Sequence, residues 1–186
     1  MDRNGWCTLD EAMPRWSTRE HHEVSLSLGP KRPAAVMDAV EALTWREVPG
    51  FYRIIRVAGM GAKRFAPDAR VLDMFLFLGS PYRLVHRSEE ELVIAGILPL
   101  SKGQRLPELG DHPVHSFREL TQPNLVKVSM NFLFRNGVLS TETRNLPIGW
   151  RASLMFGLYW WSIRLGSGFI RRSWLGGIRR RVEALA

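Results

Sequence analysis

The stretch that decides the fold is residues 125–161, LVKVSMNFLFRNGVLSTETRNLPIGWRASLMFGLYWW. Its centre is Asn136-Gly137, a dipeptide that readily takes the two positive φ angles of a type I′ hairpin turn. Strands are therefore predicted over 125–135 and 138–146. One long aromatic-rich helix is predicted directly after them, over 150–184. A strand pair that leads into such a helix predicts an α+β fold, in which a sheet packs against the final helix.

A two-residue turn fixes the register of the two strands. It places Asn131 opposite Glu142, Ser129 opposite Arg144, and Phe132 opposite Thr141. Because side chains alternate along a strand, one face of the hairpin is largely apolar and is predicted to face the interior. Its members are Val126, Val128, Met130, Phe132, Phe134, Leu139, Thr141 and Thr143.

The other face of the hairpin carries Ser129, Asn131, Glu142 and Arg144. The preferred interpretation is an outward polar ladder, which contributes only tenths of a kcal/mol for each exposed pair. Facing inward instead, the same residues would orient a ligand carbonyl or stabilise an enolate. Both alternatives stay open at this point.

Upstream of the hairpin, the pattern predicts an arm followed by one domain. Residues 1–19 are interpreted as an irregular arm, and 20–186 as a single domain. Alternation predicts a strand over 22–28, and helical spacing predicts helices over 33–43 and after Pro49. Residues 69–78 fit either a short helix or a strand. A hairpin is predicted from 82–87 and 92–98 around an acidic turn, followed by a loop over 99–113.

Charge and composition limit the partners. The chain has 186 residues and a net charge of +8, and seven arginines against one acid after residue 149 place most of that charge on the final helix. A solvated helix face is preferred for Arg179, Arg180 and Arg181, and weak contact with an anionic membrane is left open. No nucleic-acid-reading motif accompanies the charge, so no nucleic-acid partner is expected.

Further motifs are missing from the sequence. It has no nucleophile elbow and no phosphate-binding glycine loop, and His21, His22, His112 and His115 lack metal-ligand spacing. No cofactor and no metal site are therefore expected. The single cysteine, the lack of a signal-peptide core and the short longest apolar run predict a cytoplasmic protein.

Three phrases carry a resemblance to a known family: YRLVHRSEEELVIAG (82–96), NLVKVSMNFLFRNGVLSTETR (124–144) and YWWSIRLGSGFIRRSWLGGIRRRVE (159–183). In these phrases and in the order of its elements, the chain resembles the START-like, polyketide cyclase-like (SRPBCC) helix-grip superfamily over about residues 20–184. It is similar to bacterial single-domain members. The resemblance implies a curved antiparallel sheet wrapped around the C-terminal helix, with a cavity between them.

The resemblance implies that the chain binds a hydrophobic small molecule, lipid-like, isoprenoid-like or polyketide-like, in that cavity. The alternative is a cyclase, dehydratase or isomerase acting there on a polyketide-like substrate. Two inward titratable groups within hydrogen-bond reach of each other would favour the enzyme, and a wholly apolar cavity would favour the binding protein. The sequence does not decide between them, nor does it give the oligomeric state.

Candidate residues follow from the predicted faces. Alternation places His86 on the same face as Tyr82, opposite Val93, where both would serve as polar handles in an apolar cavity. The predicted ligand-binding residues are Tyr82, His86, Met130, Phe132, Thr141, Thr143, Phe156 and Trp160. The weak catalytic candidates are His86, Tyr82, Glu142 and Arg144.

Overall fold

The computed structural model describes residues 7–26, 33–57, 66–77, 79–101 and 103–184. Over these residues the chain forms one five-stranded antiparallel sheet and six α-helices. The elements are α1 (Thr8–Ala12), β1 (Thr18–Ser25), α2 (Pro33–Ala42), a 3-10 turn (Trp45–Glu47), α3 (Pro49–Val57), α4 (Asp73–Leu76), β2 (Tyr82–Arg87), β3 (Glu91–Pro99), α5 (Pro113–Glu119), β4 (Leu125–Arg135), β5 (Val138–Ile148) and α6 (Trp150–Ala184). The strand order is β1-β5-β4-β3-β2, so the sheet is open.

The β4–β5 hairpin confirms the central prediction. Asn136 and Gly137 have φ angles of 52° and 77°, as a type I′ turn requires. The ladder pairs Asn131 with Glu142, as well as Ser129 with Arg144 and Phe132 with Thr141. The predicted α+β class is therefore observed, with the C-terminal helix following the hairpin directly.

The apolar face of the hairpin packs toward α6, and we call it the inner face. Trp174 of α6 is fully buried there, with its ring centroid 5.0 Å from that of Phe132 on β4. The rings of Phe75 and Phe51 lie 5.8 and 6.3 Å from it. Four aromatic rings from four elements thus fix the C-terminal half of α6 to the sheet and to the neighbouring helices.

The opposite side, the outer face, is covered by α1 and α5, which sequence reasoning missed. Leu9 and Met13 from the arm and Phe117 from α5 pack onto Val93 and Leu125 of the sheet. In the described part of the arm, residues 8–12 form a helix that shields the outer face, so this part is not irregular as predicted. The predicted outward polar ladder is wrong for the same reason, because Ser129, Asn131, Glu142 and Arg144 are all buried.

The remaining helix and hairpin predictions are confirmed within a few residues. Helices α2 and α3 and the β2–β3 hairpin lie where expected, and the ambiguous segment 69–78 contains the short helix α4. Strand β1 begins at Thr18, four residues before the predicted start, and residues 27–28 lie outside the described part of the chain.

A β-bulge separates the two predicted polar handles. Tyr82 pairs with Gly96 and Leu84 with Ile94, but the register then shifts by one residue, so that His86 pairs with Val93. Because a bulge adds one residue to a strand, the side chains beyond it change face. Tyr82 stays on the inner face and His86 lies on the outer face. The prediction that they share a face is wrong.

Helix α6 differs between its two halves. Its C-terminal half is anchored by buried Trp174, Leu175, Ile178 and Val182. Its N-terminal half exposes most of its large apolar side chains: Trp150, Leu154, Met155, Leu158, Tyr159 and Trp161, the last 84% exposed. Within the described residues no helix combines the length and the apolar character needed to span a bilayer.

Candidate functional site

A desolvated arginine lies between α6 and the inner face of the sheet. The Arg171 guanidinium donates to the thioether Sδ of Met130 and lies 5.5 Å from the ring centroid of Trp174. Within the described part of the chain, no carboxylate lies within 4 Å of it. Burial lowers the pKa of Arg171 to about 10, although the side chain keeps part of its surface open.

Two further polar groups near Arg171 lack partners. Thr143 stands opposite Met130 in the β4–β5 ladder, and its buried hydroxyl has no hydrogen-bond partner among the described residues. The indole N–H of Trp174 is also buried without an acceptor there. The neighbouring Thr141 behaves differently, since its hydroxyl donates to the backbone oxygen of Asn131 at 2.7 Å. We call Arg171, Thr143 and Trp174 the donor cluster.

Tyr82 of β2 lies on the inner face of the sheet, opposite Gly96. Its ring covers Gly96, where a Cβ atom would come within 2.4 Å of it, so only glycine permits this packing. Burial raises the pKa of Tyr82 to about 12, and both the Tyr159 phenol and the Arg171 guanidinium act on it electrostatically. Tyr159 and Arg171 are separated by about 18 Å along the helix axis, at 1.5 Å per residue.

An apolar wall continues from Tyr159 along α6. Phe156 is buried, and its ring stacks on half-buried Trp160 with centroids 5.9 Å apart; the Tyr159 ring lies 6.3 Å from Phe156. On the sheet side, half-buried Val128 pairs with Gly96, next to the Tyr82 ring. We call the strip between α6 and the inner face that carries Tyr82, Val128, Met130, Phe156, Tyr159, Trp160 and Arg171 the groove.

The predicted ligand-binding residues thus divide into two groups. Tyr82, Met130, Phe156 and Trp160 border the groove, and Phe132, Thr141 and Thr143 lie on the same inner face of the sheet. His86 alone lies on the outer face, where it borders a small cavity with Cys7, Glu91 and Arg135.

A polar triad lies beside the groove on β1 and α6. The Glu20 carboxylate lies 3.1 Å from His22 Nε2 and accepts a hydrogen bond of 2.5 Å from the Ser167 hydroxyl. Both Glu20 and His22 are largely buried and pair with Thr143 and Thr141 of the inner face. Gly168 allows the helix to approach, because a Cβ there would lie 3.1 Å from the Glu20 carboxylate.

Glu142 and Arg144, two of the catalytic candidates, belong to a charged cluster on the outer face. Arg144 donates to Glu142 at 2.6 Å, to Asp10 of α1 at 2.6 Å and to the Met13 carbonyl at 2.8 Å. Arg19 binds both oxygens of Glu142, at 2.9 and 2.8 Å. These hydrogen bonds lower the pKa of Glu142 to about 2 despite burial, which acts in the opposite direction.

The charged cluster, made of Asp10, Arg19, His21, Glu142 and Arg144, satisfies its own hydrogen bonds. Glu142 also contacts His21 Nδ1 at 3.3 Å, an interaction that raises the pKa of His21. A cavity of about 400 Å³ lies over the cluster. Because its charges already have partners, the cluster is best explained as the attachment of α1 to the sheet rather than as a binding site.

Several other polar groups have structural partners as well. Arg181 binds the Glu47 carboxylate at 2.8 Å, Arg180 donates to the Glu47 carbonyl, and Arg179 pairs with Glu183. The helix-end arginines are thus engaged within the protein. The Cys7 thiol donates to Asp10, and burial raises its pKa to about 12, so it is not a thiolate at neutral pH.

Sequence reasoning missed Arg171, Glu20, His22 and Ser167. Two signals for them existed. The alternation that places Val24 inside also places Glu20 and His22 on the same face of β1. Arg171 precedes Trp174 by three residues, which puts both on one side of a helix. Its arginine identity favoured a solvated position, and that inference is wrong for this residue.

Comparisons of the chain with protein-family models, with curated proteins and with solved structures found no match.

Proposed function

We propose that the chain is a START-like helix-grip protein that binds a hydrophobic small molecule in the groove between the sheet and α6. The observation that carries this proposal is the ring cluster of Phe156, Tyr159 and Trp160 on α6. Phe156 is buried, yet it belongs to neither of the two hydrophobic core clusters of the described residues. Aromatic rings that lie apart from the packed core are a typical lining for a drug-sized or lipid-like molecule.

The state of α6 supports the same proposal. Its C-terminal half is packed against Phe132, Phe75 and Phe51, whereas its N-terminal half leaves large apolar side chains exposed. Exposed apolar surface of this extent marks binding regions in soluble proteins. A guest beneath this half would bury part of that surface against the sheet.

Binding of the neutral dye N-phenyl-1-naphthylamine tests the proposal. We expect saturable one-to-one fluorescence enhancement in the native protein and an affinity at least about 10-fold weaker in Val128→Trp, because an indole at 128 fills the groove beside Tyr82. The matched control is Leu133→Trp, at a half-buried position of β4 on the outer face, which should bind like the native protein.

Two results would contradict ligand binding in the groove. One is no saturable enhancement in the native protein. The other is equal binding by native protein and Val128→Trp, which would place the dye on the exposed side of α6. Circular dichroism of each variant establishes that it is folded.

A second function, acid–base catalysis in the same groove, is favoured by the Glu20–His22 pair. The two side chains are inward-facing titratable groups 3.1 Å apart, which is the condition that favours an enzyme of the cyclase, dehydratase or isomerase kind. Ser167 donates its hydroxyl to Glu20 rather than to His22, so a serine nucleophile activated by histidine is not formed.

Exchange of the α-protons of 2-tetralone, an apolar ketone, tests this second function by NMR in D₂O. If His22 acts as the base, the native protein accelerates exchange and His22→Gln reduces the acceleration by about 100-fold or more. Dye binding should be unchanged in that variant. Exchange at the background rate with native protein, or an unchanged rate in His22→Gln, would leave binding alone as the function.

A further inference from the structure

We propose that the groove selects a ligand with an anionic head group, which Arg171 and Thr143 bind. This inference rests on the proposed function and adds the chemical class of the ligand. Its basis is the donor cluster: the Arg171 guanidinium contacts Met130 and the Trp174 ring, and the Thr143 hydroxyl and the Trp174 indole N–H are buried without partners among the described residues.

The position of the Arg171 guanidinium lowers the stability of the fold. A guanidinium has five N–H donors, and its contacts in the described residues are a thioether, which is a weak acceptor, and an aromatic ring. Desolvating a charge without a counter-charge destabilises a fold. Arg172, the next residue, is exposed and already places a charge on the helix surface. The helix therefore does not need a charge at position 171 for solubility.

Glu20 lies close enough to act electrostatically on Arg171, but it forms no ion pair with it. Its two oxygens are engaged by His22 and Ser167. The Arg171 guanidinium is therefore not paired with Glu20 at contact distance, and an incoming anion would not have to displace that carboxylate from it.

Thr143 lies directly across the ladder from Met130, the residue that Arg171 touches. A carboxylate or phosphate that displaces the thioether contact can accept two N–H bonds from the guanidinium fork and the O–H of Thr143. Its apolar portion then extends along α6 toward Trp160 and Tyr159. A ligand with an anionic head and an apolar tail therefore matches both the donor cluster and the aromatic rings of α6.

Displacement of N-phenyl-1-naphthylamine by dodecanoate, dodecyl phosphate and dodecanol tests the inference, because the three share one tail and differ in the head. We expect at least one anion to displace the dye at about 10-fold lower concentration than the alcohol, as a charge-assisted pair predicts. Arg171→Met should abolish that preference and leave dodecanol unaffected. The matched control Arg172→Met, at the exposed neighbour, should retain it.

Thermal unfolding adds a readout that a purely structural arginine would not give. Removing a desolvated charge without a counter-charge should raise the unfolding midpoint of Arg171→Met by a few degrees. Thr143→Val should also not destabilise the protein, while lowering anion preference several-fold. Thr141→Val, which loses a satisfied hydrogen bond, should unfold at lower temperature.

The outcomes separate the two proposals. A preference for dodecanoate or for dodecyl phosphate supports the inference and identifies which anion fits. Equal displacement by all three compounds overturns the anionic head group and leaves the binding function standing, and so does an anion preference that survives in Arg171→Met. If the native protein does not bind the dye in the groove, both proposals fall.

Discussion

Replacing Arg144 by methionine is expected to lower the free energy of unfolding by about 3–5 kcal/mol, the usual result of removing one partner of a buried ion pair. The side chain is only 4% exposed and binds two carboxylates, Glu142 and Asp10, and the Met13 carbonyl. The variant takes the Arg144 donor away from Asp10 and from the Met13 carbonyl, leaves Glu142 with Arg19 and His21 alone, and frees α1 from the sheet. For a chain of this size, the unfolding midpoint should fall by about 6–20 °C.

Urea denaturation followed by tryptophan fluorescence measures the effect. The control is Arg46→Met, which breaks an ion pair with Asp68 in which both side chains are mostly exposed. Surface pairs of this kind contribute little, so the control should change the free energy of unfolding by less than about 0.5 kcal/mol. Equal effects of the two substitutions would show that the charged cluster does not attach α1.

Acidification is expected to remove about 3 kcal/mol of stability through Glu142 alone. Its pKa falls from 4.5 in the unfolded chain to about 2 in the fold, and each pKa unit corresponds to about 1.4 kcal/mol. Because the folded-state pKa is depressed, this contribution is fully present above pH 4.5. It is lost as the pH falls through 2 and the carboxylate takes up its proton.

Glu142→Gln removes that contribution, together with the contact that raises the pKa of His21. At pH 7 the variant should be less stable than the native protein, and the difference should shrink by about 3 kcal/mol between pH 7 and pH 2. Asp10 and Glu47 also have lowered pKa values and remain in both proteins, so their acid sensitivity cancels in the comparison. A difference that stays constant over this range would contradict the assigned role of Glu142.

The sequence predicted what local patterns determine. Asn136-Gly137 set the turn, the turn set the register, and the register identified Met130 and Phe132 as inner-face residues. A final helix was predicted over 150–184, directly after the hairpin, and α6 has these ends. These features depend on residues close together in the chain, for which hydrophobic periodicity is a direct signal.

The errors share one physical cause, which is contact between distant segments. Polar residues at 142 and 144 were assigned to solvent because the partner that buries them, α1, lies more than 130 residues earlier. The bulge at Val85 has no glycine or proline to announce it, so simple alternation put His86 on the wrong face. Arg171 follows the same rule, since its environment depends on Met130 and Trp174 together.

The unequal packing of α6 has a consequence for local unfolding. Its C-terminal half is fixed around Trp174, whereas its first turns carry most of the exposed apolar side chains. Segments with few buried contacts open locally at a lower free-energy cost than the packed core. We therefore expect amide hydrogens in the first turns of α6 to exchange faster than those around Trp174.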